Sequence, residues 1–136
     1  MITPRHKLAA VLLADGRVLV AGGSDNHDRR GKYASAEIYD PATGRFSKTT
    51  DRHSERFQLT DGVVRLRDGH VLIAGGAEQP EVYDAARNAF ERVAGTVGNG
   101  RYFSSATLLS DGQVLITGGY GEDPGAGGGE RLDFFT

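Results

Sequence analysis

The densest gathering of chemically competent side chains is Ser24-Asp25-Asn26-His27-Asp28-Arg29-Arg30-Gly31-Lys32, with two carboxylates, an imidazole and three cations. Arg29 and Arg30 suit an acidic partner, and Asp25 and Asp28 suit a cation. The calcium reading fails on spacing, because Asp25, Asn26 and Asp28 lack the remaining ligand positions and the terminal Glu of a calcium loop. No metal is expected there, and a solvated loop is the plainer reading. A second set is Arg5, His6, Arg56, Arg101 and Tyr102. Such a set can grip a carboxylate through charge-assisted hydrogen bonds. The competing reading pairs these side chains with acids close in sequence, such as Asp51, Glu55 or Asp61. Tyr120 opens a glycine-rich stretch from Gly118 to Gly129 that contains neither Gly-x-Gly-x-x-Gly nor a Gly-Lys-Ser/Thr ending, so no nucleotide cofactor is expected. His6, His27, His53 and His70 are scattered, no Gly-x-Ser-x-Gly elbow exists, and Ser104-Ser105 has no evident base. No catalytic residue is assigned.

What must position these residues is a repeat. DGRVLVAGG from Asp15, DGHVLIAGG from Asp68 and DGQVLITGG from Asp111 are three copies of one pattern, spaced 53 and 43 residues apart. A second pattern runs in phase with it: AEIYDPATGRF from Ala36 and EVYDAARNAF from Glu81, with Tyr39/Phe46 and Tyr83/Phe90 at one separation. The third copy offers Glu130, Leu132 and Asp133 in place of Glu-x-Tyr-Asp, then ends at Phe134-Phe135-Thr136.

Each Asp-Gly lies between two apolar runs, a hairpin signal, since such turns need a positive φ that glycine and aspartate tolerate. The runs after it, Val18 to Ala21, Val71 to Ala74 and Val114 to Ile116, are continuously apolar, so both faces of these strands should be buried. Strands c hold Ile38-Tyr39 and Val82-Tyr83, and strands d begin near Phe46 and Phe90. The class is all-β, with about three four-stranded antiparallel units, the last incomplete. The paired glycines closing each strand b lack side chains, so a neighbouring backbone or ring can approach closely.

Repeats of about 50 residues with paired glycines, Gly22-Gly23, Gly75-Gly76 and Gly118-Gly119, resemble kelch β-propeller repeats, and the absence of tryptophan excludes the Trp-Asp signature of WD40 blades. Phe46 and Phe90 stand where kelch blades often have Trp. The resemblance covers nearly the whole chain, as a single partial propeller: repeat 1 at about 5–50, repeat 2 at about 56–95 and a truncated repeat 3 at about 101–136. It implies that the starts of strands a, where Arg5, His6, Arg56, Arg101 and Tyr102 fall, line a central channel. Kelch propellers close with more blades than three. Two readings follow: a piece of a longer gene, which is favoured, or two chains joined edge to edge into a six-bladed ring, hiding their open edges.

A formal net charge of −2 provides no field for nucleic acid or an anionic membrane. No apolar run spans a bilayer, and Met1 to Ala10 lacks the organisation of a signal peptide, so a cytoplasmic location is expected of the chain as written. With no cysteine, the cysteine-crosslinked tyrosine of galactose-oxidase-like copper enzymes cannot arise within this chain. No cofactor is expected.

Strand alternation puts the a–b and c–d turns at one end of the blades and the b–c and d–a connections at the other. The b–c connections, Ser24 to Ser35, Ala77 to Pro80 and Tyr120 to Gly129, differ in every repeat, and variable loops on a rigid scaffold are where binding resides. The expectation is therefore a binding or scaffold protein that contacts a protein, peptide or glycan through Arg5, His6, Asp25, Arg29, Arg30, Arg56, Arg101, Tyr102 and Tyr120. The alternatives are part of a kelch-fold carbohydrate-active enzyme, oxidase or epimerase-like, and a structural piece without a ligand.

Overall fold

The computed structural model describes residues 1–56, 58–97 and 100–121, and the backbone of 132–135. The expected connection from Glu122 to Gly129, together with Glu130, lies outside the described residues. The first sheet takes β1 (Ala9–Leu12), β2 (Val18–Ala21), β3 (Ala36–Asp40) and β4 (Arg45–Lys48) in sequential order, every pair antiparallel. The second repeats this with β5 (Val63–Arg65), β6 (Val71–Ile73), β7 (Glu81–Asp84) and β8 (Ala89–Arg92). In the third, β9 (Ser105–Leu108), β10 (Val114–Thr117) and β11 (Leu132–Phe135) pair in the same way. The only helical element among the described residues is a 3-10 turn at Asp28–Arg30. These are three β-blades of a partial propeller. The first strands β1, β5 and β9 neighbour one another in turn, which makes strand a the inner strand of each blade.

Continuous apolarity in strand b has the expected cause. Val71 and Ile73 pack toward the first blade, with Leu19, Ile38, Tyr83 and Phe90, whereas Leu72 turns the other way onto Val114 and Ile116 of the third. A strand pleated between two neighbours buries alternate residues in different cores, so a polar residue fits neither side. Tyr39 with Phe46 and Tyr83 with Phe90 form tilted ring pairs at 4.9 and 4.8 Å. Register sets them opposite each other on strands c and d, and such pairs add about 0.5–1.5 kcal/mol beyond burial. Phe in place of Trp keeps that packing.

The a–b turn departs from the expectation in one respect. Positive φ falls on the glycine alone, at +89°, +90° and +91° for Gly16, Gly69 and Gly112. In the first repeat Leu13 N–H donates to the Arg17 carbonyl at 2.8 Å and Gly16 N–H to the Leu13 carbonyl at 3.1 Å, and the other two repeats match. This is a three-residue loop with glycine in the left-handed position. Aspartate contributes differently, its carboxylate accepting the N–H two residues on, from Arg17, His70 and Gln113, each at 3.0 Å. The Asp of Tyr-Asp does the same for the c–d turn, Asp40 accepting from Ala42 and Asp84 from Ala86, both at 2.9 Å. Asp68→Ala is accordingly expected to cost about 1 kcal/mol and Asp68→Asn much less, as read from urea midpoints.

Candidate binding surface at the variable-loop end

Arg5, Arg56 and Arg101 are not displayed at a mouth. They are 8%, 0% and 5% exposed, and each donates through Nη1 to the carbonyl of the first glycine in its own blade's pair. The distances are 2.8 Å to Gly22, 2.7 Å to Gly75 and 3.5 Å to Gly118. The acidic partners of Arg5 and Arg56 are not Asp51, Glu55 or Asp61 but the Glu at the start of strand c. Arg5 meets Glu37 at 3.0 Å, and Arg56 lies 3.8 Å from Glu81 with both side chains fully buried. Arg56 also donates to the Gln79 carbonyl, and Arg5 to the Ser35 carbonyl at 2.9 Å. The side chain that opens each blade thus staples strand a to the end of strand b. In the first two blades it staples strand c as well. The geometry gives these arginines a structural role that the sequence pattern, read as a mouth, does not reveal.

The electrostatics follow burial. Burial alone would raise the Glu37 carboxyl, but hydrogen bonds from Ile2 N–H, Thr3 N–H and Arg5 outweigh it and hold the group below its ordinary range. Burial pulls Arg56 down against the opposing charge of Glu81. Arg52, which sequence reasoning missed, is 4% exposed, and burial followed by the charge of Arg56 pulls it down to about 9. It donates to the Tyr33 carbonyl at 2.6 Å and the Ala34 carbonyl at 3.0 Å, fastening the first b–c connection to the link between blades. Nothing in its sequence context, Asp51-Arg52-His53, marks it as buried.

The remaining candidates gather at the variable-loop end. His6 and Lys7 both reach Asp28, at 2.9 and 2.8 Å, and hold its carboxyl low together, Lys7 contributing first. Asp25 is occupied by His27, accepting from its backbone N–H at 2.8 Å with Nδ1 at 3.1 Å. The loop of the first blade reaches to the third: Lys32 Nζ is 3.4 Å from Tyr102 Oη, and the Arg29 guanidinium lies 5.8 Å from the Tyr102 ring centre. Tyr102 and Tyr120 exchange backbone hydrogen bonds at 2.9 Å. Phe103, next to Tyr102, and Tyr120 are 59% and 67% exposed, and Arg30 is exposed on the same loop. Lys32 and Phe103 complete a surface that the sequence shows only in part. Phe103 has a left-handed φ of +60°, as do Lys7 (+54°) and Gln58 (+57°) at the same repeat position, and Gln58 N–H donates to the Lys7 carbonyl and Phe103 N–H to the Gln58 carbonyl. Among the described residues no group of three or more His, Asp or Glu side chains converges as metal ligands would.

Four-stranded blades in sequential order, packed face to face about inner strands a and stapled by a repeated Arg–Glu pair, define a β-propeller-type repeat protein. Residues 5–51 match the Kelch motif, and the same glycine pair, Tyr-Asp and opening arginine recur in the second blade. Over residues 5–51 the chain is similar to the kelch-repeat family, which supports reading its blades as kelch repeats. No curated protein matches it. Kelch repeats commonly mediate protein binding.

Proposed function

We propose that the chain is a binding protein that engages a protein, peptide or glycan at the end bearing the b–c and d–a connections. The observation that carries this reading is the contact of Arg29 and Lys32, from the first blade, with Tyr102 of the third, beside the exposed rings of Phe103 and Tyr120. Exposed rings offer flat apolar area for stacking, and cations close by add charge-assisted hydrogen bonds to carboxylates. Arg30, Phe103 and Tyr120 do not hold the core, so this surface can be altered without unfolding the blades. Their exposure is what a recognition surface requires.

The test is an array of peptides and glycans, followed by titration of each hit against Tyr120→Ala, Phe103→Ala and Arg30→Ala. Binding is expected to weaken about tenfold or more, equivalent to about 1.4 kcal/mol, on loss of either ring, with the melting temperature unchanged. Asp15→Asn, at the opposite end, is expected to leave binding as it was. Hits indifferent to all three loop-end substitutions would overturn the proposal, as would an array without saturable binding.

A further inference from the structure

Both joints between neighbouring blades are built alike. Gly23 N–H donates to the Arg56 carbonyl at 2.9 Å, and Gly76 N–H to the Arg101 carbonyl at 2.8 Å. The second glycine of one blade thus holds the arginine that opens the next. The first glycine receives the residue three positions beyond that arginine. A Cβ on Gly22 would stand 2.7 Å from Leu59 Cδ1, and one on Gly75 3.3 Å from Ser104 Oγ.

At the ends of the arc the same parts stand unmatched. Among the described residues nothing lies within 4 Å of a Cβ on Gly118. Among the described residues no backbone hydrogen bond ends at Gly119 N–H or at the Arg5 carbonyl. The sheet faces repeat the contrast. Tyr83 and Phe90 are 1% and 6% exposed against the first blade, whereas Tyr39 and Phe46, at their positions in the first blade, are only half-buried. Leu12, on that same outward face, is 59% exposed. Leu19 and Leu72, which meet a following blade, are 0% and 3% exposed, and their counterpart Leu115 is half-buried. One chain therefore carries both halves of a joint, one at each end.

We infer that two copies of the chain close head to tail into a six-bladed ring. Gly119 N–H of each copy meets the Arg5 carbonyl of the other, Leu8 seats at Gly118, and the face bearing Leu12, Tyr39 and Phe46 covers Leu115. A second copy is the occupant because it supplies both complementary halves in the register that the internal joints already use. The two joints are identical, so a twofold axis closes the assembly with no edge left over, and six blades fall within the range that propellers adopt.

Light scattering over a concentration series tests this with the 136-residue chain, Leu12→Lys, Leu115→Lys and an equimolar mixture of the two variants. The wild type is expected at twice the chain mass of 14.5 kDa. Each lysine variant is expected at one chain mass with unchanged β circular dichroism, because neither leucine is buried in the isolated arc. The mixture retains one sound joint and associates at lower concentration than either variant alone. A wild type that stays at one chain mass would overturn the inference and assign these faces to another occupant, such as further blades of a longer chain. A ladder of larger masses would overturn closure, and so would a dimer indifferent to both lysines.

Discussion

Arg56→Met is expected to lower the unfolding free energy by about 3–5 kcal/mol, the cost of removing one partner from a buried ion pair. The side chain is fully buried, and its loss strips Glu81 of its ion-pair partner. Neither Glu81 carboxylate oxygen has a hydrogen-bond partner among the described residues, so with Arg56 gone its charge is offset through space by Arg52 and by no hydrogen bond from those residues. The carbonyls of Gly75 and Gln79 lose a donor at the same time. Against a typical total of about 5–15 kcal/mol, the variant should be close to unfolding at room temperature. The second substitution separates the contributions. Arg56→Met with Glu81→Met removes the stranded charge and should recover the electrostatic part, leaving the cost of two orphaned carbonyls, about 1–3 kcal/mol each. Arg5→Met should cost less than Arg56→Met, because Glu37 keeps the Ile2 and Thr3 N–H donors at 2.8 and 2.9 Å. Urea titration of the four proteins checks the order. Equal losses at Arg5 and Arg56 would contradict this account of what the pair does.

Why the arginines were legible as a set, yet not in their role, has a physical explanation. Their recurrence shows in the sequence because each copy makes the same attachment. Their partners do not, because the acid lies one strand pair away: Glu37 is on β3 and Arg5 precedes β1, 32 positions earlier. Proximity along the chain favours Asp51, Glu55 and Asp61 instead, and all three of those are exposed. Local signals fared better. The first strand b runs Val18–Ala21 as its apolar run suggests, whereas the second stops at Ile73, one residue short of Ala74, and the third runs on to Thr117, one beyond Ile116, since apolarity marks the run but pairing sets its ends. The variable end was legible as loops of unequal length, but the reach of Lys32 to Tyr102 spans 70 positions, and no sequence periodicity encodes it.

The glycine pair yields the second large effect. Gly22 and Gly44 have nearly the same left-handed φ, +66° and +68°, yet different surroundings. At Gly44, in the c–d turn, an added Cβ meets nothing within 4 Å among the described residues, so Gly44→Ala should cost only the backbone preference, about 1–2 kcal/mol. At Gly22 the same Cβ would lie 2.6 Å from the Arg56 carbonyl oxygen and 2.7 Å from Leu59 Cδ1. Leu59 is fully buried and cannot retreat, and the Arg56 carbonyl is held by Gly23 N–H. Gly22→Ala must therefore push the second blade off the first, adding the roughly 1–3 kcal/mol of an overpacked core to the backbone cost. Chemical denaturation should show a midpoint for Gly22→Ala far below that of Gly44→Ala, with an unchanged slope if both still unfold as one unit. Similar midpoints would mean that the pair is retained for its φ alone. A selective loss at Gly22 would identify the missing side chain, and the close approach it permits, as what lets one blade dock on the next.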